Sequence, residues 1–437
     1  MGNEKIYWFV VLLSLVSLIW RYKNNSFAVL IILIFYSGLT AYYGKIIENP
    51  YKLILLLISI FFLFKLNALS GLLLRERTVF LSFIVFSFSF LFSGYLNHDS
   101  VNMIISQYGK YLTPLCIFFT LVYLTKDSSE NLQYYRKLFF ILLHVQIALS
   151  FVKWGTVGVQ EWIVGSISFE GGAVATTLPV LGFMLLWLDK HGELNRKDWI
   201  YTALLLVIAF VSLKRAIWFI MPAFVFLFVF YVPRNKNIAK LLYLIPMIPL
   251  IFYLGVRLNP TLNKEGRMWG EFDYRFVKNY VLQYNFGKSE KSKSVQLGHG
   301  RGGATLVILD KLKGNAKLNY HDFFGYGLEK MYATDYETFD KYNFGINSKG
   351  AATGIFQVYV TSGFIGIACA ILLIFSIINL VVVTRIKVTI AIFMFYDFLF
   401  YNWSSMRIPA VSILLLFIIM YANKQAAVLN SKNYKPV

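Results

Sequence analysis

The stretch LILLLISIFFLF, residues 53–64, decides how this chain is read. It carries no charge, and Ser59 is its one polar residue. It shows no period-two alternation, which a membrane strand with one wet face requires. Extended to 50–69, the run has the roughly 20 residues that cross a hydrocarbon core of about 30 Å. In such a core every backbone N–H and C=O must be satisfied within the segment, so the run predicts a helix.

The same pattern recurs along the chain. Spans are expected at 6–20, 26–44, 50–69, 78–97, 101–125, 136–153, 171–188, 198–213, 215–232, 238–256, 351–380, 388–400 and 408–423. Ile6–Trp20 reads as the first span rather than a cleaved leader, because no small-residue cleavage site follows it. Composition agrees: of 437 residues 58% are hydrophobic, and 15% are charged, where a soluble domain carries about a quarter. The expected fold is an all-α integral membrane protein of 12–13 transmembrane helices. No internal repeat is visible, which weighs against an inverted-repeat transporter.

Charge gives the expected orientation. Eighteen basic residues fall in one alternate set of loops and ends, among them Arg21, Arg75, Arg136, Lys190, Arg196, Arg234 and Arg385. Seven fall in the other: Lys5, Lys45, Lys52, Lys153, Lys214, Arg215 and Arg407. The bias places the first set in the cytoplasm. The organisation expected is ten spans in 1–256, one large extracytoplasmic loop in 257–350, and the last spans with a cytoplasmic tail in 351–437. That loop carries fifteen basic residues, but long loops translocate regardless of charge. Its aromatic content speaks for a folded cap, and 303–313 has the spacing of a surface helix. The net charge of +20 is therefore read as topogenic, and no nucleic-acid partner is expected. Cys116 and Cys369 lie in apolar runs and the five histidines lack metal-ligand spacing, so neither a disulfide framework, a metal nor a cofactor is expected.

Several residues carry candidate chemistry. Lys214 and Arg215, in VSLKRAIWF (211–219), form a cationic pair on the side poor in positive charge. A helix start there adds N–H groups and a dipole favourable to phosphate; snorkelling beside Trp218 is the plainer alternative. Arg301 lies between glycines in GHGRGGATL (298–306), where the backbone can approach a ligand and the guanidinium fork can hold two phosphate oxygens. Glu170, in SFEGG (168–172), stands at the outer end of a span as a base, a sugar ligand or a helix cap. Arg257, Arg275, His321 and Tyr326 are further loop candidates for contacts with substrate. The turn FFGYG (323–327) reads as aromatic packing shaped by its glycines. Asp397 lies in an apolar run, with Arg407 and Lys110 as its candidate partners.

Taken together, the spans, SLKRAIWF (212–219), the single large outer loop with its GR and GYG elements, FEGGAVATTLP (169–179) and the glycine-rich NSKGAATGIFQVYVTSGFIG (347–366) resemble Wzy-type O-antigen polymerases. The resemblance covers about 165–380. O-antigen ligases share the architecture but typically show a histidine just before the span after the loop. Here Asn347 and Ser348 stand without one, which favours the polymerase. The resemblance implies a metal-independent glycosyltransferase of the multi-spanning C-type class in the bacterial cytoplasmic membrane. Its substrate, as both donor and acceptor, would be undecaprenyl-diphosphate-linked oligosaccharide. Membrane lipids surround it, and a chain-length regulator is a candidate partner. Arg215 and Arg301 would face the donor diphosphate. A ligase and a lipid-linked-oligosaccharide flippase or transporter remain the alternatives.

Overall fold

The computed structural model describes residues 2–169, 172–232, 244–286, 305, 309, 319–327 and 352–433. Among these the chain is helical, with no strand and one isolated bridge, Val164 to Ser168. Six helices are long and apolar enough to cross a membrane: Asn3–Tyr22, Ile46–Lys65, Leu74–Leu96, Ser129–Thr156, Gly354–Leu380 and Pro409–Ala426. The protein is thus built to sit in a bilayer.

In chain order the helices are α1 (Gly2–Tyr22), α2 (Ser26–Phe35), α3 (Ser37–Tyr42), α4 (Lys45–Lys65), α5 (Leu74–Leu96), α6 (Val101–Thr125), α7 (Ser129–Thr156), α8 (Ala173–Asp189) and α9 (Arg196–Val211). There follow α10 (Ile217–Phe226), α11 (Leu244–Leu258), α12 (Tyr274–Phe286), α13 (Tyr320–Phe324), α14 (Gly354–Leu380), α15 (Thr384–Leu399), α16 (Ser404–Arg407) and α17 (Pro409–Asn433). Helices α8 and α17 are enclosed by the others: Val174–Phe183 and Val411–Ile419 are buried nearly throughout. A helix apolar all round belongs at such a centre, and here that is a matter of position among neighbours, since α4 is equally apolar and keeps Ile54, Leu57 and Phe61 exposed.

Contacts sort the helix ends into two groups. At one end Trp8 meets Phe169, Ser93 meets Thr361, and Thr176 meets Tyr401. At the other, Tyr22 meets Tyr134, Arg136 pairs with Asp189, and Arg385 donates to Tyr231 O. We call these the Lys214 end and the Arg136 end.

Two of the expected spans are interrupted. The span 26–44 breaks at Tyr36 (φ −107°), between α2 and α3. There Gly38 N–H donates to Ser166 O at 2.9 Å, and a Cβ on Gly38 would fall 2.8 Å from that oxygen. The span 351–380 breaks at Gly363, whose φ of 65° suits glycine. A third departure is smaller: α10 starts at Ile217 and widens into a π-helical turn, Leu227–Tyr231. Each break has a tertiary partner that takes up the freed backbone groups, the condition under which a bilayer tolerates irregular backbone.

The clearest case is the segment 157–169, joining α7 to α8. It turns back into the bundle with Ile163 and Gly165 at positive φ. Gln146, wholly buried on α7, donates to Ser166 Oγ at 2.8 Å and accepts from Ser166 N–H at 2.9 Å. Ser166 Oγ donates in turn to Phe35 O at 2.8 Å. Such a fully paired buried network specifies one geometry, because any slip leaves polar groups orphaned.

Candidate functional site

The short connection from α9 to α10 builds the first part of the site. Ser212 ends α9, Leu213 adopts φ 50°, and Lys214 N–H closes the turn on Ala209 O at 3.0 Å. Lys214 and Arg215 therefore lie in a turn before α10 rather than in its first helical residues. The Lys214 stem crosses Gly172, where a Cβ would fall 1.4 Å from its Cε. No residue with a side chain fits at 172 in that arrangement. Gly172 is also the N-cap of α8 and offers no side-chain cap to its first turn.

Glu161, from the re-entrant segment, stands between the two cations. Its carboxylate oxygens lie 3.7 Å from Lys214 Nζ and 3.9 Å from Arg215 Nη2. Glu161 is half exposed, so contacts this long are worth little. The Arg215 guanidinium sits 4.7 Å from the Tyr280 ring centroid on α12. Val256, Leu262 and Val277, with Phe219, Phe252 and Phe272, form the small apolar cluster that holds α12 against α10 and α11.

Lys153 underpins this corner. It is 1% exposed, and its Nζ donates to the carbonyls of Gln160 (2.8 Å), Trp162 (2.6 Å) and Ile163 (2.7 Å), with Ser212 Oγ at 3.5 Å. An ammonium has three protons, and three carbonyls take them. Lys153 thereby fixes the segment that carries Glu161 and ties it to the residue two before Lys214.

A second group lies at the same end. Asp322 on α13 accepts from Tyr326 OH and Tyr359 OH, each at 2.6 Å, and from Asn319 N–H at 2.9 Å. His321 stacks on Tyr326, with centroids 5.2 Å apart. Glycine permits the docking: a Cβ on Gly363 would lie 2.4 Å from Phe323 C, and one on Gly325 would lie 2.5 Å from Ser362 N. Asn97 Nδ2 donates to Gly325 O at 3.2 Å. The turn is thus locked onto α5 and α14.

Burial pushes the Asp322 carboxyl up, but the hydrogen bonds from Tyr326, Tyr359 and Asn319 outweigh it and hold it below the ordinary carboxylate value. A lowered value means that the anchor is intact at neutral pH and is lost only as the pH falls through that value. Tyr326→Phe removes one donor to a charged acceptor, at a cost of about 1.5–3 kcal/mol. Hydrogen exchange at 319–327 should quicken in that variant, whereas unchanged exchange would show that the anchor holds without it.

The other candidates are placed as follows. Arg257 is committed to its own loop, donating to Gly270 O (3.1 Å), Tyr253 OH (3.0 Å) and Trp269 O (3.3 Å). Arg275 is exposed in the first turn of α12. Arg215 and Tyr280 meet directly, while His321 and Tyr326 belong to the separate docking group. Glu170 and Arg301 lie outside the described residues, as does 303–313 apart from 305 and 309. Asp397, left open between two cations by its sequence context, accepts instead from Ser404 Oγ at 2.9 Å and Ser405 N–H at 2.6 Å. Sequence reasoning treated Lys153 as one topogenic charge and passed over Glu161, Tyr280, Asp322 and Tyr359. A lysine in FVKWG (151–155), at the end of an apolar run, was the available signal. Among the described residues no group of three His, Cys, Asp or Glu side chains could hold a metal. No family model, curated protein or solved structure matches this chain.

Proposed function

We propose that the protein is a polymerase joining undecaprenyl-diphosphate-linked oligosaccharide units into a surface polysaccharide, O-antigen or a related glycan. It would act at the outer face of the bacterial cytoplasmic membrane. The observation that supports this reading is the Lys214–Arg215 turn: two adjacent cations beside the start of α8, with the half-exposed Glu161 carboxylate near both and the Tyr280 ring against the guanidinium.

In this reading the membrane is crossed thirteen times, α2 with α3 and α16 with α17 counting once each. The Lys214 end faces outward, and 257–350 forms the outer loop. An acceptor sugar hydroxyl attacks the anomeric carbon of the donor. The bond to the diphosphate breaks, and undecaprenyl diphosphate leaves with the electron pair. Arg215 and Lys214, joined by Arg301, meet the charge that develops on that leaving group, and preorganised donors do this without a metal. Glu170, two residues before the glycine that Lys214 crosses, is the candidate to take the hydroxyl proton. A soluble nucleotide-sugar donor is confined to the cytoplasm, so an outer transferase needs a lipid-diphosphate donor.

The deciding experiment is a gel of surface glycan and lipid-linked intermediates from a strain lacking the gene. A single repeat unit on the acceptor, with the ladder gone, supports the polymerase. Long polymer retained on undecaprenyl diphosphate indicates a ligase, and single units trapped in the inner leaflet indicate a flippase. Orientation has its own test. Ser292→Cys should react with an impermeant thiol reagent in intact cells, and protection there would reverse the sidedness.

A further inference from the structure

At the Arg136 end, far from Lys214, a cleft of about 690 Å³ opens where α1 and α8 end and α7 and α9 begin. Its charge is one-sided. Arg21, Arg136, Lys137, Lys190 and Lys197 line it, against two carboxylates, Asp189 and Asp198. Both carboxylates are already engaged: Asp189 pairs with Arg136 and accepts from Tyr421 OH at 3.1 Å, and Asp198 lies 3.6 Å from Lys190 Nζ. Arg21, Lys137 and Lys197 form no ion pair with a carboxylate among the described residues.

Three of the five cations lining the cleft are thus left without a carboxylate among the described residues, so the group that suits it brings oxygen acceptors and negative charge. The wall is also aromatic, with Tyr22, Tyr134, Phe140 and Tyr201, a composition suited to the membrane–water boundary.

We infer that this cleft binds a phosphate group. Basic pockets between spanning helices hold anionic lipid headgroups in this way, and a soluble phosphate would use the same contacts. The inference needs the helices to span a bilayer but not the polymerase reading, so either stands if the other fails.

The test titrates the full-length protein in non-ionic detergent with short-chain phosphatidylglycerol and, separately, with inorganic phosphate. Sodium chloride at matched ionic strength is the reference. Saturation by the lipid but not by phosphate identifies a headgroup site, and equal saturation by phosphate identifies a soluble ligand. Each cation near the headgroup contributes about fivefold in affinity. Lys137→Gln combined with Lys197→Gln should therefore weaken binding about 25-fold, while Lys126→Gln, at the same end but outside the cleft, should not. The single Lys197→Gln variant, weakened about fivefold, carries the test if the double variant does not fold. Absence of saturation by either probe, unchanged affinity in the cleft variants, or an equal loss in Lys126→Gln would overturn the site.

Discussion

Arg215→Ala is expected to abolish polymer while the protein level stays at that of the wild type. The guanidinium lies across the Tyr280 ring at 4.7 Å and 3.9 Å from the nearest Glu161 oxygen. The ion pair with the half-exposed Glu161 contributes little to folding, since such pairs are worth about 0–1 kcal/mol. Removing a preorganised donor to a developing anion, by contrast, costs about 10²–10³ in rate. Chain synthesis adds one unit per turnover, so a loss of that size erases the ladder. Arg215→Lys keeps the charge but gives up the planar fork and the stacking on Tyr280, and an intermediate chain-length distribution is expected. The measurement is a glycan gel beside an immunoblot of the membrane fraction. Wild-type chain lengths in Arg215→Ala would remove this residue from the mechanism.

Lys153→Met is expected to be the most destabilising single change at this corner. The methionine fills much of the same volume but donates to nothing. The carbonyls of Gln160, Trp162 and Ile163, now 2.6–2.8 Å from Nζ, would lose that donor. At roughly 1–3 kcal/mol for each unsatisfied group the total is on the order of 5 kcal/mol. The damage should concentrate in 157–169, where Ile163 and Gly165 hold positive φ. Thermal unfolding in detergent, with proteolysis mapped onto that segment, reads both effects. A variant as stable and as protected as the wild type would mean that water replaces the ammonium without loss. Because Glu161 rides on this segment and faces Lys214 and Arg215, activity should fall with the order of the segment.

The membrane class was legible because it rests on segment composition. Runs such as 53–64 admit no other solvent, and all six long apolar helices lie where hydropathy expects spans. The breaks were not legible. The Ser37-Gly38 pair weakens a helix locally, but what places the break at Tyr36 is that Gly38 meets the backbone at Ser166, a residue far along the sequence. Gly363 lies in the glycine-rich stretch 347–366, but what requires glycine at that one position is the backbone of Phe323 packed against it.

The candidate site divides in the same way. Lys214 and Arg215 were visible because two adjacent cations on the side poor in positive charge violate a local rule of composition. The roles of Lys153, Arg257 and Asp322 were not. An isolated lysine, arginine or aspartate in sequence carries no record of the carbonyls or hydroxyls that will surround it. The sequence by itself determined that this chain is a helical membrane protein with one unusual cationic pair, because hydropathy and charge act residue by residue. The tertiary structure alone decided which cations are consumed by backbone carbonyls, as Lys153 is, and which lie between a carboxylate and an aromatic ring, as Arg215 does. Hydrogen bonding depends on distances of a few ångströms between segments that the order of residues does not bring together.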